Sequence, residues 1–208
     1  MNQRTVFLVG MTLLAIALAL FLPAMPQPLA YHDFADKREA YGIENFLDVA
    51  SNLAFTLAGL AGLVLVLRPR TCFEQPAERW PYLVFAIGVL LTGAGSCYYH
   101  LEPNNETLFW DRLPMTISFM SLIAAQVVDR VNVRAGLLAL VPMLLVGVAS
   151  VVYWIVTERQ GRGNVIPYAV LQAYSVIVLL QLAALHPSRY THGNAIYAVF
   201  AGYVLAKG

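Results

Sequence analysis

The sequence predicts an all-α polytopic membrane protein, a transmembrane helix bundle with six full spans and a partial seventh. Two observations predict it. Apolar residues make up 59% of the chain and charged residues only 12%, against roughly 45–50% and 25% in soluble proteins. Apolar runs also recur at about 20 residues, the length that crosses a bilayer core about 30 Å thick at about 1.5 Å per residue.

The spans run Val6 to Leu22, Phe46 to Leu67, Pro81 to Tyr99, Trp110 to Val128, Ala135 to Val156 and Ile166 to Leu185, with a short stretch from Asn194 to Leu205. The first follows Met1-Asn2-Gln3-Arg4, and its apolar run exceeds the h-region of a signal peptide with no clean cleavage site after it. It is therefore read as a retained helix, residues 1–24, ahead of a core of residues 25–208. Breaks such as Arg68-Pro69-Arg70, Pro103-Asn104-Asn105 and Gly161-Arg162-Gly163-Asn164 are turn chemistry, too short for a second domain.

Thirteen basic and twelve acidic residues leave a net charge of +1, so no basic field attracts nucleic acid. Arg4, Arg68, Arg70, Arg79, Arg130, Arg134 and Arg189 fall on the side of the N-terminus, and Lys37, Arg38, Arg112, Arg159 and Arg162 on the other. The excess of positive charge places the N-terminus in the cytoplasm. Cys72 and Cys97 fall on opposite faces, and no disulfide is expected.

Ionisable groups in or beside a span cost at least about 2.5–3.5 kcal/mol at mid-depth and mark functional candidates. Ser96 and His100, in Gly93-Ala94-Gly95-Ser96-Cys97-Tyr98-Tyr99-His100, share a helical face, and an imidazole is a common zinc ligand. A hydrogen-bonded helix-end histidine is the plainer alternative. Asp111, in Trp110-Asp111-Arg112-Leu113-Pro114-Met115, either orients a metal-bound imidazole or moves a proton, or caps its helix with Pro114 in the first turn. Asp33 and Asp36, with Glu44, Asn45 or Asp48, offer hard oxygens for calcium, or form a solvated acidic loop. Asp48, Ser51 and Asn52 share one face of a span and are expected to point into the bundle. All of these fall on the side opposite the N-terminus, the extracytoplasmic face.

Three of these pieces together resemble the alkaline ceramidases, whose superfamily includes the adiponectin and progestin receptors: G-A-G-S-C-Y-Y-H from Gly93, D-R-L-P-M from Asp111 and N-F-L-D-V-A-S-N from Asn45. The resemblance implies a seven-helix hydrolase that cleaves the amide of a ceramide-like or other N-acyl lipid with zinc-activated water. It implies that His100 binds zinc, that Ser96 hydrogen-bonds the metal site or developing oxyanion, and that Asp111 relays protons. It also implies calcium at Asp33 and Asp36, although Asn45 stands where that family has a Glu.

Two departures accompany it. The span from Val6 to Leu22 is additional, and the family's His-x-x-x-His pair on its last helix, which completes the zinc site, is missing. His186 and His192 are six apart and on the wrong side, while His32, on the same side as His100, stays open as an improvised ligand. The chain is therefore expected to be a partial form ending before that helix, and hydrolase activity is expected only when that helix is present. The competing functions are a non-catalytic receptor-like or scaffold protein, and a transporter using Asp48 and Asp111, whose positions near helix ends argue against it.

Overall fold

A computed structural model describes residues 3–68 and 73–207. Pro69, Arg70 and Cys72 lie outside the described residues, so their placement in a loop beside the third span stays an expectation. The helices are α1 (Gln3–Phe21), α2 (Phe46–Ser51), α3 (Leu53–Leu67), α4 (Arg79–Leu101), α5 (Asn105–Arg130), α6 (Val133–Arg159), α7 (Ile166–Leu185) and α8 (Ala195–Lys207). Single 3-10 turns occupy Leu29–His32 and Pro76–Glu78, and no strand forms among the described residues.

Four segments are long and apolar enough to cross a membrane: Phe46–Leu67, Pro76–Leu101, Val133–Arg159 and Ile166–Leu185. The apolar part of α1, Val6–Phe21, is shorter. Large apolar side chains such as Leu53, Phe55, Leu57, Leu138, Val141 and Leu145 are exposed along α3 and α6, as expected where the surrounding solvent is hydrocarbon. The chain is an integral membrane protein on these grounds.

Helix α5 is the hub, packed against α4, α6 and α7, while α3 lies on α4 and α1 on α7. Inside the bundle small hydroxyls return their hydrogens to their own helix: Thr92 to Gly88 O, Ser121 to Ile117 O, Ser150 to Gly147 O and Ser175 to Leu171 O. Each of these four hydroxyl hydrogens is thereby paired inside the bundle.

Two expected boundaries shift. The Phe46–Leu67 span is interrupted at Asn52, whose backbone stays helical (φ −68°, ψ −16°) while its side-chain Nδ2 donates to Asp48 O at 2.8 Å. Helix α5, expected from Trp110, is not among the four and begins at Asn105, because Asn104 closes a capping box: its side chain accepts from Thr107 N at 2.9 Å, and its own N–H donates to Thr107 Oγ1 at 3.2 Å.

Candidate functional site

Glycines bring the site's helices together. A Cβ on Gly93 would stand 2.9 Å from Thr56 N and 3.1 Å from Asn52 O, so α4 lies directly against the start of α3. A Cβ on Gly95 would stand 2.0 Å from Trp110 O and 3.3 Å from Asp111 N, so the other side of α4 lies on the backbone of α5. Residue 114 is proline and cannot donate to Trp110 O, which leaves that carbonyl without its helical partner. The G-A-G and D-R-L-P pieces are therefore the two halves of one helix contact.

Ser96 follows in the chain and is buried, 8% exposed. His100 comes one turn later, near the end of α4. Its ring packs on Phe34 at 4.5 Å between centroids, and its carbonyl accepts from Asn45 Nδ2 at 3.4 Å. Its Nδ1 is buried and has no hydrogen-bond partner. Asp111 is half-buried and sits in the second turn of α5, so it does not cap that helix. The capping alternative fails because α5 starts six residues earlier. Pro114 accordingly lies inside the helix.

Of the other polar residues, Asn52 is buried, Asp48 half-buried and Ser51 exposed. The Ser51 hydroxyl donates to Asp48 O at 2.8 Å, so Ser51 does not point into the bundle as expected. Asp33 pairs with Lys37 and is largely exposed; the hydrogen bond and charge of Lys37 hold its carboxyl below the usual range. Asp36 accepts from Leu47 N at 2.9 Å and Arg38 N at 3.3 Å. Asn45 faces the carbonyl of His100. The calcium candidates are thus engaged separately and do not fit a shared ion. His32 has Nδ1 on Tyr99 OH at 2.9 Å and Nε2 on Asn105 Oδ1 at 3.0 Å. With both nitrogens occupied, it fastens the 29–38 segment over α4 and α5 and is not a spare ligand. His186 lies on another cavity, at the far end of α5.

Arg112, in the sequence one charge of the side opposite the N-terminus, is 4% exposed. Its guanidinium carbon lies 4.3 Å from the ring centre of Trp154 and 4.6 Å from that of Tyr168, and Nη2 donates to Gln27 Oε1 at 2.7 Å. The aromatic residues late in α6 and early in α7 were the available signal. Along the α4–α5 contact, an apolar groove of about 320 Å³ is lined by Leu91, Ala94, Gly95, Tyr98, Trp110 and Pro114 among others.

These features define a helical membrane protein with an imidazole-centred polar cluster where α2, α4, α5 and the 31–38 segment converge. The chain belongs to the ceramidase family: the family model described as Ceramidase matches residues 40–206. No curated protein and no solved structure matches it. The match begins after α1, which precedes the family region.

A zinc ion normally takes three or four protein ligands. His100, with its unengaged buried Nδ1, suits one of them. Among the described residues, however, no group of three or more His, Cys, Asp or Glu is gathered to hold a metal. Cys97 is a free thiol, and Cys72 lies outside the described residues. The residues present therefore fit a single zinc donor and not a complete site.

Proposed function

We propose that this protein is a membrane-embedded hydrolase of the amide bond in a ceramide-like or other N-acyl lipid, and that its reacting groups are Ser96, His100 and Asp111. The observation that carries the proposal is the approach of Gly95 to Trp110 and Asp111, which brings the start of the D-R-L-P-M piece against the helix that bears Ser96 and His100. Membership of the ceramidase family supports it independently.

In this scheme the lipid's acyl chain lies along the apolar groove beside Gly95 and Trp110. The hydroxyl of Ser96 donates a hydrogen bond to the oxyanion formed at the amide carbon. The carboxyl of Asp111 takes the proton of the attacking water and passes it to the leaving amine. Zinc enters only as a partner of His100, since the described residues do not complete its coordination. Six crossings and a partial seventh, with the N-terminus in the cytoplasm, form the topology that accompanies this proposal.

The test is fatty-acid release from N-acylsphingosine by the purified protein in detergent, with the metal content measured in parallel. Activity is expected to fall at least about a hundredfold in Asp111→Asn, the low end for loss of a general acid or base, and to vanish in His100→Ala. Full turnover by His100→Ala overturns the assignment. A second reading, a non-catalytic receptor-like or scaffold protein, rests on the fastening contacts at this cluster: Phe34 packed on His100, Asn45 on the His100 carbonyl and Asn52 on the Asp48 carbonyl. A folded wild-type protein that binds N-acylsphingosine without releasing product favours that reading.

A further inference from the structure

Helix α5 runs 26 residues, about 39 Å, from the His100 cluster to a second polar centre at the other end of the bundle. There a cavity of about 490 Å³ is lined by Arg4, Arg130, His186, Ser188, Thr191 and Asn194 among others, and no carboxylate is among its described lining residues. It lies where α5 and α7 end and α1 begins, beyond the end of the apolar Ile166–Leu185 segment.

Arg130 is 8% exposed. Its Nε donates to Gln126 Oε1, its Nη1 to the carbonyls of Ala183 and His186, and its Nη2 to Gly193 O. A guanidinium has five N–H groups, so one remains beyond these four bonds. The nearby carboxylate of Asp129, 3.7 Å from Arg130 Nε, accepts through Oδ1 from Arg189 N and Ser188 Oγ. His186 Nδ1 is buried without a hydrogen-bond partner. Burial first, then the charges of Arg4 and Arg130, hold its imidazole below the usual range.

We propose that this cavity binds a phosphate group. Two guanidiniums, the hydroxyl of Thr191, the amide of Asn194 and the absence of a carboxylate among the described lining residues match a multiply charged group with several acceptor oxygens. The volume exceeds that of many water molecules, at about 30 Å³ each, which leaves room for the phosphate and its hydration. The phosphate comes either from the headgroup of an anionic phospholipid or from inorganic phosphate in solution, and the experiment separates these sources.

The purified protein in neutral detergent is titrated with dioleoylphosphatidylglycerol, with inorganic phosphate, and with dioleoylglycerol as the phosphate-free lipid, and read by native mass spectrometry and thermal unfolding. Arg130 is left intact because it staples the turn after α7. Arg4→Gln and Asn194→Asp alter exposed positions of the lining, and each is expected to weaken binding about fivefold, the effect of one charge near an anionic surface. Thr191→Glu replaces either variant should one fail to fold. A phosphatidylglycerol complex untouched by inorganic phosphate identifies a headgroup site, while saturation by inorganic phosphate alone identifies a soluble ligand; both uphold the proposal when the variants bind more weakly. Dioleoylglycerol binding as tightly as phosphatidylglycerol, no binding of either phosphate probe, or variants that bind like wild type would overturn it.

Discussion

The carbonyl oxygen of Trp110 occupies the space that a side chain on Gly95 would need, 2.0 Å from the ideal Cβ position. Both partners are backbone, so no rotamer change relieves the clash. Gly95→Ala is expected to push α4 from α5 and destabilise the protein by at least about 1–3 kcal/mol, the usual cost of overpacking. Gly10→Ala, with nothing within 4 Å of its Cβ, serves as the control and is expected to unfold at the wild-type temperature or slightly above. Equal unfolding temperatures for both variants in detergent would show that the contact yields easily.

Arg112 lies between the rings of Trp154 and Tyr168 and holds Gln27. A lysine keeps the charge but loses the planar stacking and the fork. Arg112→Lys is expected to cost about 2 kcal/mol, in the range of a desolvated cation–π contact, as measured by unfolding in mixed micelles. Wild-type stability in this variant would mean that charge alone is what the position requires.

Asp36 and Asp33 make opposite predictions. Asp36 accepts the N–H of Leu47 at the opening of α2, and Asp36→Ala is expected to destabilise by about 1 kcal/mol, as loss of a cap does. Asp33 pairs with Lys37 on the surface, so Asp33→Ala is expected to leave the unfolding midpoint unchanged. Calcium would have to displace Lys37 from Asp33 and the amides of Leu47 and Arg38 from Asp36. Millimolar calcium is accordingly expected to leave the midpoint where it is, and a calcium-dependent rise abolished by Asp36→Ala would restore these residues as a cation site.

His186 predicts a pH dependence. The folded protein disfavours its protonation, while the unfolded chain takes up the proton near the ordinary value of 6.5. The unfolded state thus binds more protons as pH falls below that value, and folding stability declines with it. This contribution is intact above pH 6.5 and is lost progressively towards the lower folded value. Unfolding midpoints measured from pH 7.5 to 5 are expected to fall more steeply for wild type than for His186→Gln, and parallel curves would remove His186 from the account.

Helix positions were largely legible from hydropathy: the span from Ile166 to Leu185 and the start of the last short stretch near Asn194 agree with α7 and α8. The start of α5 was not, because Asn105, Glu106 and Thr107 are polar and an apolar window discards them, although the Asn104–Thr107 capping pair is a local signal. Spacing alone puts Ser96 and His100 on one face, and it also puts Ser51 beside Asp48 and Asn52. Ser51 is exposed because only one side of the helix meets α4 at that level, and spacing does not say which side.

Crossing a bilayer demands a fixed length of apolar helix, a demand that four of the segments meet by themselves, so the membrane class and the order of helices follow from the chain read in one dimension. The meeting of Gly95 with Trp110, the cage around Arg112, the occupied nitrogens of His32 and the cavity between Arg4 and Arg130 join residues far apart in sequence. Those were decided by the tertiary structure, because close helix packing depends on which backbone groups lack a partner and on the space that the facing helix leaves open.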